Sequence, residues 1–187
     1  SGPGLSTSIS PANYPESFAV GSVDNTLTIA LGSSRGPSTC AGSIFFPEIV
    51  APGENVRTAD LTLGGVNPDP YASGPGTSFA APHAAGAMAL ILSAAPQLTV
   101  AELEARLIDN ATDLGPPGVD DDYGNGLLDV AATYNSFTTY SMAGNVTGKG
   151  TGSITTYPMG MDCPDDCVGD YIDGTIVTLT AIPAQGS

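Results

Sequence analysis

The chain has 187 residues, 41% of them apolar, and its 19 acidic against 4 basic side chains give a formal net charge of -15. This length allows one domain with a hydrophobic core, or one domain and a small module. The charge argues against nucleic acid as a partner, because proteins bind phosphates largely through Lys and Arg, and against anionic membrane surfaces. An acidic, solvated surface is the simpler interpretation, and a calcium-binding surface is the alternative.

No continuous apolar run reaches the roughly 18 residues of a membrane-spanning helix. The run over 84–95 is shorter and contains Gly86, so no membrane span is expected. The opening residues SGPGLSTSIS are typical of a loop interior, and the chain ends on a turn signal after a strand-like run. Both ends suggest a fragment of a longer protein.

Short apolar runs bounded by Pro, Gly and polar residues predict the first strands. They lie at 14–23, 26–31 and 48–53, followed by an extended hairpin segment over 55–65 and a loop over 66–76. Helical patterns come next in the chain. Strands followed by helices in this way are typical of an α/β layered fold.

Two longer helices and one short helix are predicted after that loop. The first runs from Ser78 to about Ala94 and is apolar nearly all round, which indicates burial. The second follows Thr99, because TVAE at 99–102 has the spacing of a capping box. A last short helix is expected from about Leu127. The apolar face of the second helix should be formed by Val100, Leu103 and Leu107.

The composition changes after residue 134. From Thr138 the chain is rich in Thr, Ser and Gly and alternates without a helical period. This pattern predicts strands and tight turns, and therefore a small all-β module. We divide the chain into 1–136 and 137–187.

The spacing of the three cysteines suggests a disulfide for two of them and leaves the third without an evident partner. Cys163 and Cys167, in CPDDC, are spaced for a small disulfide loop of the kind found in secreted proteins, and two free thiols are the alternative. Cys40 has no evident partner. Zinc is not expected, because a structural site needs four ligands and no second pair or nearby His is available.

The stretch GPGTSFAAPHAAGAMALIL, at 74–92, carries the clearest chemical signal. Ser78 follows a glycine-rich approach and opens a helix, where free N–H groups can hold a developing oxyanion. Gly74 and Gly76 would let a substrate backbone come close. A serine hydroxyl is nevertheless a poor nucleophile until a base takes its proton.

His83 is the one histidine in the chain and does not suit that role. Five residues along a helix turn the side chain by about 500° and advance it by about 7.5 Å. The geometry of a base has to be satisfied before its pKa matters. We interpret His83 as a packed, hydrogen-bonded structural residue, so the base for Ser78 would lie outside this chain.

Five blocks occur in an order typical of one family. They are SGPGLSTSISPANYPESFAVGSVD, SSRGPS, PEIVAPGENVRTA, GTSFAAPHAAGAMALIL and DYGNGLLDVAA. Over residues 1 to about 134 the chain resembles the subtilisin-like serine peptidases (subtilases), and most closely bacillopeptidase F-like members. The resemblance implies the C-terminal half of a three-layer α/β domain built on a parallel sheet.

The resemblance also implies roles for individual residues. Ser78 would be the nucleophile that forms the acyl-enzyme, with its own N–H as an oxyanion donor and Thr77 supporting that site. The family's Asp, His and oxyanion Asn would precede Ser1, so the chain by itself should be inactive. No cofactor is required for this chemistry. Substrate would be bound by Gly76 and by the wall of the pocket for the residue before the scissile bond, Ile9, Ser10 and Ala12.

Two further features bear on stability and ions. The family often has Met after the serine, where this chain has Phe79, and a phenyl ring does not oxidise as a thioether does. An acidic run from Asp121 has a calcium-like spacing, but Tyr123 stands at a ligand position and no acidic twelfth residue follows. A solvated turn is the alternative. Glu48 lies near where some subtilases bind a weak cation, so structural calcium stays open.

The segment 144–187 resembles a divergent internalin-type bacterial β-repeat that lacks its final strand. The glycine-rich start, the Cys pair and GTIVTLTAIPAQGS carry the match. This implies an extracellular spacer or adhesion module with cell-surface or glycan contacts. The sequon at Asn145 is interpreted as chance.

The sequence therefore predicts part of a secreted bacterial serine endopeptidase that acts on polypeptides. A non-catalytic surface protein on the same scaffold is the alternative. A third hypothesis takes adhesion through the β module as the main function.

Overall fold

The computed structural model describes residues 2–38, 40, 45–59, 71–148 and 150–184. Helices and strands both occur, as the α/β prediction requires. The elements are β1 (Val20–Val23), β2 (Ile49–Pro52), β3 (Val56–Ala59), β4 (Tyr71–Gly74), α1 (Thr77–Ala94), α2 (Val100–Asp109), α3 (Val130–Asn135), β5 (Thr139–Ala143), β6 (Gly152–Tyr157), β7 (Asp162–Cys163), β8 (Val168–Ile172) and β9 (Thr178–Pro183).

A parallel pair of strands forms the base of the first part. β1 and β2 run in register from Val20 opposite Ile49, and most of their side chains are buried. Leu127 continues the pairing through a parallel bridge to Val50. The prediction of a helix from about Leu127 is therefore wrong by three residues. α3 begins at Val130, where the Asp129 carboxylate accepts the Ala132 N–H at 2.8 Å.

The predicted strands at 14–23 and 26–31 are only partly present. Only Val20–Val23 of the first is a strand, and the second is reduced to a single bridge between Val23 and Ile29. The reason is the Asp24 carboxylate, which accepts the N–H groups of Thr26 and Thr28 and so folds the chain into a turn. A local side-chain acceptor thus replaces the ladder that the apolar run predicts.

β3 and β4 form an antiparallel pair that leads directly to α1. The prediction of extended structure after residue 55 is confirmed for Val56–Ala59, and its remainder, 60–65, lies outside the described residues. The predicted loop over 66–76 is wrong at Tyr71–Gly74, which pairs with β3. The Arg57 guanidinium lies 4.4 Å from the centre of the Tyr71 ring across the pair, a cross-strand contact that a loop composition conceals.

The bounds of α1 match the prediction to within a residue, but its predicted burial is wrong. Ala80, Ala84, Ala87 and Ile91 are buried, whereas Leu90 is 63% exposed. Its contacts come from β1 and β2 along one side, with α2 and α3 near its end, so one row of side chains is covered.

By length and composition alone, α1 could cross a membrane, as could the core helix of many folded domains. This is weak evidence, and α1 packs one face on the sheet. The helix reaches 18 residues because it includes polar side chains of its first turns beside the apolar run.

α2 begins with the predicted capping box. Thr99 Oγ1 accepts the Glu102 N–H at 3.3 Å, and the Glu102 carboxylate accepts the Thr99 N–H at 2.8 Å. Leu103 and Leu107 are buried as predicted. Val100 is wrongly predicted on the apolar face, since its side chain is 68% exposed in the first turn.

Residues after 138 form strands, in the pair β5–β8 and the sheet β7–β6–β9. They do not stand apart from the helices. Phe137 and Ile172 join one buried cluster with Ile91, Ala95 and Leu103. Gln97 Nε2 also donates to the Asp173 carbonyl at 3.3 Å. The segment after the predicted division is therefore packed against the ends of α1 and α2.

The cysteines are placed in two different regions. Cys163 and Cys167 are joined by a disulfide across the turn after β7. Cys40 is a half-buried free thiol, and its neighbours 39 and 41–44 lie outside the described residues.

Candidate active site

Ser78 is the second residue of α1, immediately after a sharp entry turn. Gly76 has φ of 129°, a left-handed conformation that a residue with a side chain rarely adopts. Its N–H donates to the Gly53 carbonyl at 2.6 Å, and its carbonyl accepts the Phe79 N–H at 2.9 Å. The chain therefore turns beside β2 and starts the helix at Thr77, which explains why the sequence has glycine before the Thr-Ser pair.

The Ser78 side chain is exposed, and no group in the described parts of the chain hydrogen-bonds its hydroxyl. The first N–H groups of any α-helix lack acceptors within the helix and carry part of the positive end of its dipole. The Phe79 and Ala80 N–H groups donate to the Gly76 carbonyl, whereas no described group accepts the Ser78 N–H, so the Ser78 hydroxyl lies beside its own free amide. That is the geometry in which a tetrahedral oxyanion can be held.

His83 does not contact Ser78. Its Nδ1 donates to the Phe79 carbonyl at 2.8 Å, one turn back along the helix. The hydrogen-bonded role predicted for His83 is confirmed. The prediction that it is packed is wrong, since the ring is exposed on the uncovered side of α1.

A cavity of about 290 Å³ opens beside Thr77. The predicted substrate-binding residues Ile9, Ser10 and Ala12 line one side of it, so distant parts of the chain meet next to the serine. Its volume is at the small end of ligand pockets and suits one side chain. No described residue lining it is charged. Pro11, within the predicted segment, lines it too, and the lining residues that the sequence did not indicate are Ala19, Val20, Gly21, Ser34 and Phe46.

Those missed residues belong mainly to β1 and the segments around it. The apolar run that predicts β1 could have suggested them, but only the packing of α1 against β1 brings Val20 and Gly21 to the same cavity as Thr77. Gly76, the remaining predicted substrate contact, lines a second and more open cavity of about 690 Å³ with Asp24 and Glu54. The residues before Ser78 therefore border two clefts.

The acidic run after residue 119 closes a turn. Asp120 Oδ1 accepts the N–H groups of Asp122 and Tyr123, and the Asp122 carboxylate pairs with Arg35 at 3.2 Å. The Asp121 carbonyl accepts the Gly36 N–H at 2.8 Å. These contacts agree with the turn interpretation. No group of three or more metal-ligating side chains occurs among the residues that the structure describes.

Glu48 is tied to the wall of the smaller cavity. Its carboxylate accepts the Ala19 N–H at 2.6 Å. Burial raises the pKa of Glu48 above its ordinary value of 4.5, although the hydrogen bond from Ala19 acts in the opposite direction. The charge of Glu104 adds to the upward shift in pKa. Glu48 thus braces the cavity wall from behind without lining it.

An exposed serine at the start of a helix, beside a cavity the size of a side chain, is the kind of site that serine hydrolases use. Comparison with known proteins shows which family of serine hydrolases this is, because the sequence model of the subtilase family matches residues 1–126. The chain belongs to the subtilase family, as its ordered blocks predict.

The chain is similar to several curated members. It is 36% identical to bacillopeptidase F from Bacillus subtilis (strain 168) over 150 residues, which are 78% of this chain and 10% of that protein. It is 38% identical to subtilisin DY from Bacillus licheniformis over 122 residues, 65% of this chain and 38% of that protein. The halolysin-like extracellular serine protease Nep from Natrialba magadii is 41% identical over 119 residues, 64% of this chain and 19% of that protein. The chain therefore spans well under half the length of these relatives.

Proposed function

We propose that this chain is part of an extracellular serine endopeptidase in which Ser78 is the nucleophile. The observation that carries the proposal is the position of Ser78 in the first turn of α1, beside the cavity lined by Ile9, Ser10 and Ala12, in a chain of the subtilase family. Family, nucleophile position and an adjoining cavity all point to one reaction.

In the proposed reaction the Ser78 oxygen attacks the carbonyl carbon of a peptide bond, and a base takes the hydroxyl proton. The N–H of Ser78 is one donor to the oxyanion, and Thr77 supports that site. Collapse releases the amine as it takes the proton, and water then hydrolyses the acyl-enzyme. The base, its carboxylate partner and the oxyanion Asn would come from sequence before Ser1, so the chain alone should be inactive.

The substrates would be polypeptides, and the side chain before the scissile bond would enter the smaller cavity. No cofactor takes part in this chemistry, and structural calcium remains an additional proposal. We propose residues 137–187 as a non-catalytic extracellular β segment related to the divergent internalin-type repeat. Cell-surface or glycan contacts would be made through this segment.

The test is labelling with a fluorophosphonate and cleavage of casein by the protein that carries this segment with its upstream sequence. Ser78→Ala should abolish both, whereas Ser93→Ala, at the other end of α1, should leave both unchanged. A properly folded, processed protein that neither labels nor cleaves would favour the alternative of a non-catalytic surface protein on this scaffold.

A further inference from the structure

The aromatic ring of Phe79, next to the proposed nucleophile, is seated against a glycine of the strand before it. A Cβ placed on Gly74 would lie 2.7 Å from Cε2 of Phe79 and 3.1 Å from Cε1, with Cζ closer still. Real Cβ atoms do not approach other heavy atoms so closely. The absence of a side chain at Gly74 therefore admits the ring, which fills the space that the sequence suggested for a substrate backbone.

The lack of room for a side chain, and not the backbone conformation, explains why residue 74 is glycine. Gly74 lies in β4 and is not among the described residues with a left-handed φ, in contrast to Gly76. Alanine would fit the backbone conformation at 74, but its methyl group would occupy the volume of the ring. The pair is therefore a steric lock between the last residue of β4 and the third residue of α1.

The backbone of Phe79 is held from both directions as well. Its N–H donates to the Gly76 carbonyl at 2.9 Å, and its carbonyl accepts from His83 Nδ1 at 2.8 Å. The ring borders a small cavity with Val56 of β3. Ser78 lies between Gly76 and Phe79 in sequence, and its side chain is exposed.

We propose that Phe79 is a positioning residue, whose ring, locked against Gly74, fixes the turn over 74–79 and with it the direction of the Ser78 hydroxyl and N–H. The inference rests on the proposed function, because it assigns Phe79 a part in the reactivity of Ser78. A group that must be held close to the productive geometry gains from such a support.

The test is a double-mutant cycle in the protein that carries this segment with its upstream sequence. The variants are Gly74→Ala, Phe79→Ala and both together, measured by the rate of Ser78 labelling with a fluorophosphonate, by kcat and KM on a peptide ester, and by melting temperature. Gly74→Ala should slow labelling by at least about fivefold, because overpacking displaces the ring. With Phe79→Ala already present, the same change should alter the rate by less than about twofold.

Gly4→Ala is the matched control, since a Cβ there meets only Thr7 Cγ2 at an ordinary 3.7 Å and Gly4 lines neither cavity beside Ser78. It should leave labelling unchanged. If Gly74→Ala slows labelling by the same factor with and without the ring, the lock is refuted while the proposed function stands. If the folded wild type does not label at Ser78, the proposed function and this inference both fail.

Phe79→Ala and Phe79→Leu keep the test valid should Gly74→Ala fail to fold. Loss of the ring in Phe79→Ala should lower kcat by at least about fivefold with KM within about twofold. Phe79→Leu, which keeps an apolar branched group in the space, should recover part of kcat. A merely structural role would lower the melting temperature of Phe79→Ala and leave kcat of the folded enzyme unchanged.

Discussion

Removing the Ile172 side chain tests whether the β segment and the helices form one folding unit. Ile172 is 7% exposed and lies in one cluster with Ile91, Ala95, Leu103 and Phe137, across the division predicted at 136. Truncating a buried Ile to Ala typically costs about 2–5 kcal/mol, the range reflecting how far neighbours close the cavity. The cluster joins α1, α2 and β8, which restricts that closure.

The expected consequence is a lower melting temperature for the part of the protein that contains Ser78. At about 2–4 °C per kcal/mol for a unit of 150–250 residues, Ile172→Ala should lower it by at least about 4 °C. Differential scanning calorimetry measures the transition, and the Ser78 labelling that remains after heating reports the same region independently. Both should shift together.

Ile176→Ala is the matched control because it makes the same substitution at a side chain that is 84% exposed. Its effect should stay within about 0.5 kcal/mol, as for most surface changes. If Ile172→Ala is no more destabilising than Ile176→Ala, or lowers only a separate transition without loss of Ser78 labelling, the packing argument is wrong and the β segment folds independently.

Three further predictions follow from the same structure. Thr99→Ala removes the N-cap of α2 and should lower the free energy of unfolding by about 1 kcal/mol in urea titrations; an unchanged midpoint would show that the capping box is not needed. Burial raises the pKa of Glu48 above 4.5, so just above pH 4.5 the carboxyl keeps its proton in the folded protein and releases it in the unfolded chain. The contribution of Glu48 to the free energy of unfolding is therefore largest at low pH and is lost as the pH rises through and above 4.5. Glu48→Gln, melted with a chelator present, should therefore be less sensitive to pH in that window, and an unaltered pH profile would contradict this assignment. Phe79→Met should make Ser78 labelling sensitive to peroxide while the wild type resists it, since a thioether oxidises and a phenyl ring does not; rapid loss in the wild type, mapped to the Ser78–Phe79 peptide, would refute this.

Much of the site could be predicted because its signals are local. A glycine-rich turn before Ser78 and an apolar helical run after it lie within a few residues, and α1 begins where that pattern predicts. The capping box at Thr99 is equally local, because both partners are in one helical turn. The five ordered blocks were specific enough to indicate the family, which the match over residues 1–126 confirms.

Several wrong predictions share one physical origin: the composition of a segment does not show which other segment it will pair with or pack against. The run over 26–31 has the composition of a strand, yet the N–H groups of Thr26 and Thr28 donate to the Asp24 carboxylate instead of to a neighbouring strand. Tyr71–Gly74 has the composition of a loop, yet β3 supplies a ladder for it. Val100 has the right spacing for the core but stands in a first turn that nothing in the described structure covers.

The amino-acid sequence was enough to predict the proposed nucleophile, the limits of α1 and the cap of α2, because each rests on residues close together in the chain, and to indicate the family, because its five blocks keep their order along the chain. Three features became visible only in the folded chain: the residues that border the cavity beside Thr77, the packing of Ile172 against the helices, and the space at Gly74 that the Phe79 ring fills. These outcomes depend on contacts between segments far apart in sequence or on atomic packing, and neither periodicity nor composition records the space that two side chains share.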